Sequence, residues 1–194
     1  RQLAAMLTQE LLASGADSIA FGPIVAAGPN SALPHATPTN RALQRGDLLV
    51  VDWGVYVDDY PSDLTRTFAV GEIEPELRRI YDTVRLANEE ARKAARPGVT
   101  GQSVDRAARE VIEDAGYGEY FIHRTGHGLG LEVHEAPDAS PVNTRPLAAG
   151  NVFTVEPGIY LPGRGGVRIE DNVVVTADGC RTMTSFSRDL ITVG

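Results

Sequence analysis

The sequence predicts an α+β fold on three observations: β-branched hairpins stand toward the start and end of the chain, helix-spaced segments lie between them, and one glycine-and-acid pattern occurs in both hairpins. The opening RQLAAMLTQELLASGA reads as an amphipathic helix and not as a signal peptide. Residues 47–58, DLLVVDWGVYVD, and 62–70, SDLTRTFAV, are separated by the turn-like DYP and read as a hairpin. A helix is predicted over 74–95, where Leu77, Ile80, Tyr81, Val84 and Leu86 fall near helical spacing and Pro97 and Gly98 end the run. A second is predicted over 103–115, with Val104, Ala107, Ala108, Val111 and Ile112 inward and Gly116 closing it. Strands are predicted near 151–156 and 167–176, joined by LPGRGG.

The repeated pattern starts at Gly46 (GDLLVVDWG) and at Gly150 (GNVFTVEPG): glycine, Asp or Asn, four mostly apolar residues, an acid, any residue, glycine. Asp52 and Glu156 occupy the same place in it, and each hairpin returns with a second acid, Asp63 or Glu170. The expectation is two pseudo-symmetric halves facing each other, each contributing acids to a shared floor.

At 194 residues, 42% hydrophobic and 23% charged, the chain has the size and make-up of one soluble globular domain with a substantial core. A formal charge of -8 argues against nucleic-acid binding through a basic patch. No run approaches the roughly 18 apolar residues of a membrane helix, so no membrane partner is expected. Cys180 is the only cysteine, which excludes an internal disulfide and a thiolate zinc cluster and favours a reducing, cytoplasmic setting. Because Arg1 opens a helix already under way, residues 1–194 are expected to be a single domain cut from a longer protein, without the start of its first helix.

The chemistry concentrates in the histidines and four acids. His123, His127 and His134 lie within HRTGHGLGLEVH, and His35 precedes the acidic hairpin. Imidazoles confined this way suit a metal or proton-transfer centre. An isolated Asp is more often a turn residue, but Asp63 opens an apolar and Thr-rich strand where an unpaired carboxylate is costly to bury. Glu156 ends the apolar run VFTV, and Glu170 repeats that anomaly in VRIEDNVVV. Arg168 would share a strand face with Glu170, so a plain salt bridge between them stands beside the metal reading.

Four carboxylates and a histidine, with no thiolate, exceed one ordinary zinc site. They suit two ions such as Mn²⁺, Co²⁺, Fe²⁺ or Zn²⁺ about 3.5–4 Å apart, with bridging carboxylates and a shared water or hydroxide able to attack a carbonyl. On paired strands Asp52 and Asp63 would lie within about 4.5–8 Å, in bridging range. Gly126, Gly128 and Gly130 around His127 would let backbone and substrate approach closely. His123 and His134 then become donors to substrate or to an oxyanion, whereas His35, in a loop with three prolines, reads by itself as an ordinary exposed histidine.

Five segments carry a family resemblance: GPNSALPHA around His35, VDWGVYVDDYPSDLTRT around Asp52 and Asp63, HRTGHGLGLEVHE, VEPGIY around Glu156, and GGVRIEDNVVV around Glu170. In these the chain closely resembles, over nearly its whole length, the pita-bread metallopeptidases, the family of aminopeptidase P, prolidase (Xaa-Pro dipeptidase) and methionine aminopeptidase. The resemblance implies that Asp52 chelates one metal, that His127 and Glu156 hold the other, and that Asp63 and Glu170 bridge them. It implies Glu156 as general base for the bridging water, and His35, His123 and His134 as catalytic, substrate-binding and proton-transferring groups. Arg168 would lie with them on the substrate side and support the bridging Glu170.

Within that family LGLEVHE, GIYLPGRGGVRIED and GPNSALPHA look more like the proline-peptide branch, which implies cleavage of peptides before proline with two divalent ions, Mn²⁺ or Co²⁺ foremost and Zn²⁺ or Fe²⁺ compatible. Relatives usually carry an N-terminal domain that helps set subunit pairing, so a homodimer is expected of the full-length protein. Two positions depart from the pattern: Trp53 stands where a smaller apolar residue is common, and Asp59 where glycine is. The rival expectations are the same metal scaffold acting on a non-peptide substrate and a peptide-binding module without turnover, the latter disfavoured by the complete set of acids and histidines.

Overall fold

The computed structural model describes all residues, 1–194, and arranges them as α+β. In chain order the elements are α1 (Gln2–Ala13), β1 (Ser18–Ile19), β2 (Ile24–Ala27), a short 3-10 helix (Gly28–Ala32), β3 (Leu48–Trp53), β4 (Val55–Val57), β5 (Tyr60–Pro61) and β6 (Leu64–Val70). Then come α2 (Pro75–Ala94), α3 (Gly101–Asp114), a 3-10 turn (Gly118–Tyr120), β7 (Gly126–Gly128), β8 (Glu135–Ala139) and β9 (Val152–Val155). The chain ends with β10 (Gly158–Leu161), β11 (Gly165–Arg168), β12 (Asp171–Val175), β13 (Cys180–Thr182) and β14 (Thr192–Val193). One sheet orders β14-β6-β3-β2 and a second β13-β12-β9-β7-β8, while β1-β4-β5 and β10-β11 form two small satellites.

The weak repeat is real at the level of hydrogen bonds. Gly46 N–H donates to Val70 O and Val70 N–H to Asp47 O; likewise Gly150 N–H donates to Val175 O and Val175 N–H to Asn151 O. Both glycines sit at positive φ, 94° and 91°, a region that L side chains enter only at a cost. The Asp-or-Asn position has a job in each copy: Asp47 Oδ2 accepts from Gln44 N–H at 2.9 Å, and Asn151 Oδ1 from Ala148 N–H at 2.8 Å. Each copy then runs into an antiparallel pair, β3 with β6 and β9 with β12. Each pair carries a smaller hairpin at its far end, β4–β5 in the first half and β10–β11 in the second.

That nested hairpin corrects the simple joining of two strands by LPGRGG. The strand predicted over 151–156 is β9 alone and that over 167–176 breaks into the end of β11 and β12, because after Val155, which faces Asp171, the chain splays and an unpredicted strand, β10, pairs with β11 from Gly158 to Leu161. LPGRGG closes only the inner hairpin. Glu156 and Glu170 lie in the break, as Asp63 lies just before β6.

The core packs α2 against β9 to β11 and α3 against α2 and β8, with Ile80, Val84, Val104, Ile112, Val155, Ile159 and Val167 fully enclosed. Both helices fall within two residues of the expected bounds. Thr100 caps α3, its Oγ1 accepting from Ser103 N–H at 3.1 Å. Two expectations fail. Leu86 is 47% exposed, since Val84, Ala87, Asn88 and Ala91 continue the true stripe. Helix α1 buries no residue, with Met6 62% exposed, because it lies against β1 and β2 at the sheet edge, where only Leu7 packs on the small Leu49, Val51 and Val70 cluster. Trp53 ends β3 and meets Phe186 of the C-terminal segment edge-on, ring centroids 6.3 Å apart.

Candidate active site

All nine predicted site residues line one cavity of about 1010 Å³: His35, Asp52, Asp63, His123, His127, His134, Glu156, Arg168 and Glu170. Its outer wall comes from α1 through Ala4, Ala5 and Thr8. The floor is the junction of the halves. Asp52, near the end of β3, lies opposite Thr65 of β6, so Asp63 is its diagonal neighbour across the pair. His127 is the middle residue of β7, and its N–H donates to Thr154 Oγ1 at 3.0 Å. Thr154 Oγ1 in turn donates to Glu156 Oε1 at 3.0 Å. Glu170 accepts from Thr65 Oγ1 at 2.6 Å, a bond that crosses from one half to the other.

The polar atoms at the centre are mostly acceptors that face one another. His127 Nδ1 meets Gly128 O at 3.1 Å and so carries the proton, which leaves Nε2 as a lone pair. That lone pair faces Glu156 Oε1 at 3.3 Å and Asp63 Oδ2 at 3.6 Å. Burial holds the His127 imidazole down to about 4, so it stays neutral near pH 7. Burial, with Asp52 and Glu156 beside it, pushes Asp63 up to about 9; burial pushes Glu156 up to about 7 and Glu170 well above the carboxylate range. Asp52 Oδ1 and Glu170 Oε1 are buried with no partner. Asp63, His127 and Glu170 each offer a ligand atom within 4.8 Å of the others. Orphaned oxygens, a lone pair aimed at carboxylates and mutual repulsion among acids fit divalent cations, which would satisfy all three at once.

Arg168 behaves differently from the expected strand-face partner of Glu170. Its fork donates to Asp52 Oδ2 at 2.6 Å, Thr65 Oγ1 at 3.2 Å, Tyr160 Oη at 3.0 Å and Pro34 O at 3.1 Å. It reaches Glu170 only through Thr65, because the break between β11 and β12 interrupts side-chain alternation. Although burial opposes it, Tyr160, Asp52 and Glu156 hold the guanidinium well above its ordinary value.

The histidines divide into two kinds. His35 and His134 are exposed at the cavity, and His134 stands edge-on to His127 with centroids 4.1 Å apart. His123 is half-buried and engaged at both nitrogens: Nδ1 donates to Arg124 O at 2.7 Å, and Nε2 accepts from Tyr160 Oη at 2.8 Å. Burial lowers it to about 4. The space at the glycines flanking His127 is filled by the protein itself, not left for substrate. A Cβ on Gly126 would lie 1.7 Å from Thr154 O, and one on Gly128 would lie 2.5 Å from Glu135 O.

Sequence reasoning missed three groups that hold this arrangement. Tyr160 links His123 to Arg168, and looked like an ordinary strand aromatic. Thr65 ties the two halves together at Glu170. Asp105 and Arg109, one turn apart on α3, grip the histidine loop: Asp105 accepts from Thr125 N–H and Oγ1, and Arg109 donates to Phe121 O and His123 O. Their i,i+4 spacing reads in sequence as a surface ion pair.

Comparison with known proteins agrees with the geometry. The model of metallopeptidase family M24 matches residues 1–177. An Xaa-Pro dipeptidase of Pyrococcus furiosus is 45% identical over 191 residues, covering 98% of this chain and 55% of that protein. Among solved structures, an X-Pro aminopeptidase from Thermotoga maritima superposes with a TM-score of 0.96 at 45% identity, covering 99% of this chain and 55% of that one. An Xaa-Pro dipeptidase from Bacillus anthracis gives 0.97 at 43% identity, with 99% and 54% covered. The chain thus spans about half the length of the relatives it matches, and their architecture is the α+β, pita-bread one its motifs imply. By this match across nearly all of its residues, the chain belongs to metallopeptidase family M24.

Proposed function

We propose that residues 1–194 form the catalytic unit of an Xaa-Pro peptidase that uses two divalent ions, Mn²⁺ or Co²⁺ foremost. The observation that carries this reading is the buried convergence of Asp63, His127 and Glu170 beside the unpartnered oxygen of Asp52 and the cavity-facing Glu156. Asp52 would hold one ion, His127 and Glu156 the other, and Asp63 and Glu170 both. Bound there, the ions supply Lewis-acid polarisation of a water and of the scissile carbonyl.

The remaining chemistry falls to the side chains. Glu156 keeps 16% of its side chain exposed toward the cavity, against 7% for Asp63, so it is the acid placed to take a proton from water and return it. Return matters because a prolyl amide nitrogen has no N–H and must gain a proton before it leaves. His134 and His35, both exposed at the cavity, hold the peptide and donate to the carbonyl oxygen as charge builds on it. His123 acts through Tyr160, whose hydroxyl proton points to His123 while its oxygen accepts from Arg168. Arg168 fixes Asp52 in place.

The test is bound-ion analysis of purified protein followed by proline release from Xaa-Pro dipeptides and longer Xaa-Pro peptides. Turnover restored to stripped protein by Mn²⁺ or Co²⁺ is the expected result, and ion binding without proline release from either substrate class overturns the substrate. Glu156→Gln should lower kcat by at least about 100-fold, the scale of a lost general base. Near-normal turnover in that variant rejects the base assignment.

A further inference from the structure

We infer that Asn88, on α2, is a positioning residue that sets the spacing of Glu156 and Glu170 and so the divalent-ion affinity of the site; the inference rests on the reading of those glutamates as ligands. Asn88 is 0% exposed on a helix face otherwise made of Leu77, Ile80, Tyr81, Val84, Ala87 and Ala91. An amide in such a core is costly unless its polar atoms are bonded. They are. Its Nδ2 donates to Val155 O at 2.9 Å and to Ile169 O at 3.2 Å, and its Oδ1 accepts from Arg92 Nε at 2.8 Å. Arg92 only donates, so this last bond fixes which end of the amide faces the two carbonyls.

Val155 and Ile169 are the residues immediately before Glu156 and Glu170. Their carbonyls stand where the β9–β12 ladder ends, Val155 opposite Asp171, and the chain splays toward the inner β10–β11 pair. One nitrogen holding both carbonyls prevents the two strands from spreading independently at the point where each turns its glutamate toward the cavity. The holder itself is braced. Arg92 reaches Thr182 Oγ1 at 3.2 Å and lies 3.7 Å from Asp171 Oδ2, so α2, β12 and β13 share the load.

Calorimetric titration of the stripped protein with Mn²⁺ tests this without any dependence on turnover. Asn88→Leu removes both donors at similar volume and should weaken Mn²⁺ binding about 10–100-fold, the range for groups that orient metal ligands. Asn88→Gln, which keeps the two N–H groups on a longer stem, should recover part of that loss. Val84→Ala, one turn away on the same buried face and without a hydrogen-bonding group for either carbonyl, is the control: at a comparable fall in Tm it should bind Mn²⁺ within about 2-fold of wild type. If Asn88→Leu does not fold, Asn88→Ser carries the test, because a hydroxyl can donate to only one of the two carbonyls. Equal losses in Val84→Ala and the Asn88 variants, or wild-type affinity in both Asn88→Leu and Asn88→Ser, overturn the inference. Wild-type protein that binds Mn²⁺ yet releases no proline overturns the substrate reading alone and leaves the Asn88 comparison decisive. Wild-type protein that binds no divalent ion overturns both.

Discussion

Asp63 and Glu156 make the site a proton reservoir when no cation is bound. Their folded values, about 9 and about 7, stand above the ordinary carboxylate range near 4, which the unfolded chain regains. Between those limits the folded state binds more protons than the unfolded one, so stability falls as pH rises. The contribution is complete below about pH 4 and is lost as pH passes about 7 for Glu156 and about 9 for Asp63. Thermal melts of stripped protein should therefore show Tm declining from pH 5 to pH 9, and saturating Mn²⁺, which requires these groups ionised, should remove the slope. A flat profile in stripped protein contradicts the reservoir. The residues themselves were legible in the sequence because each acid interrupts an apolar run. Asn88, Asp105 and Tyr160 were not, since a polar residue on a helix or a tyrosine on a strand looks the same whether it faces solvent or bonds a buried partner.

The elements were legible in proportion to their periodicity. Helices α2 and α3 follow from apolar spacing and from Pro97, Gly98 and Gly116 at their ends, whereas the Thr100 cap of α3 did not stand out. The nested hairpins were not, because Pro157 and the splay at Ile169 interrupt the ladder without interrupting the apolar run that marks the strands. Helix α1 has apolar residues but no buried face, which only its position at a sheet edge explains. The β4–β5 turn gives a prediction at this scale. Val57 pairs with Tyr60 across a two-residue loop in which Asp58 and Asp59 take φ of 49° and 65°. Such a turn needs positive φ at both residues and prefers Asp-Gly. Asp59→Gly should raise stability by about 0.5–1 kcal/mol by removing left-handed strain, measured as an increase in denaturant midpoint without change in slope. A lower midpoint would mean that the Asp59 side chain stabilises the turn more than its backbone strains it.

At the scale of the molecule, the two halves meet through the site. Asp52 and Asp63 come from the first, His127, Glu156 and Glu170 from the second, and Thr65 and Arg168 already bond across the junction. The GD/GN repeat made this division legible, and the shared hydrogen bonds at Gly46 and Gly150 explain why those residues had to repeat. How closely the halves approach was not legible, because it depends on pairings more than a hundred residues apart. Cations held between the halves should stabilise the whole fold: at 100 times Kd the gain is about 2.7 kcal/mol, or a rise in Tm of roughly 5–10 °C for a chain of this size. Differential scanning calorimetry with and without Mn²⁺ measures it, and an unchanged Tm at that concentration would show that the folded chain holds the ions no more tightly than the unfolded one.

Trp53 turns the same junction into a lamp. It is the only tryptophan in the chain, it follows Asp52 directly, and its ring is steadied against Phe186. Any ion seated on Asp52 would lie across β3 from the molecule's one strong ultraviolet emitter, which packs on the opposite face with Leu49, Val51 and Val70. Co²⁺, with its open d shell, should dim that fluorescence on loading, whereas d¹⁰ Zn²⁺ should leave it nearly unchanged. Equal quenching by both would trace the signal to a rearrangement of the indole. Occupancy could thus be followed by light in unlabelled protein.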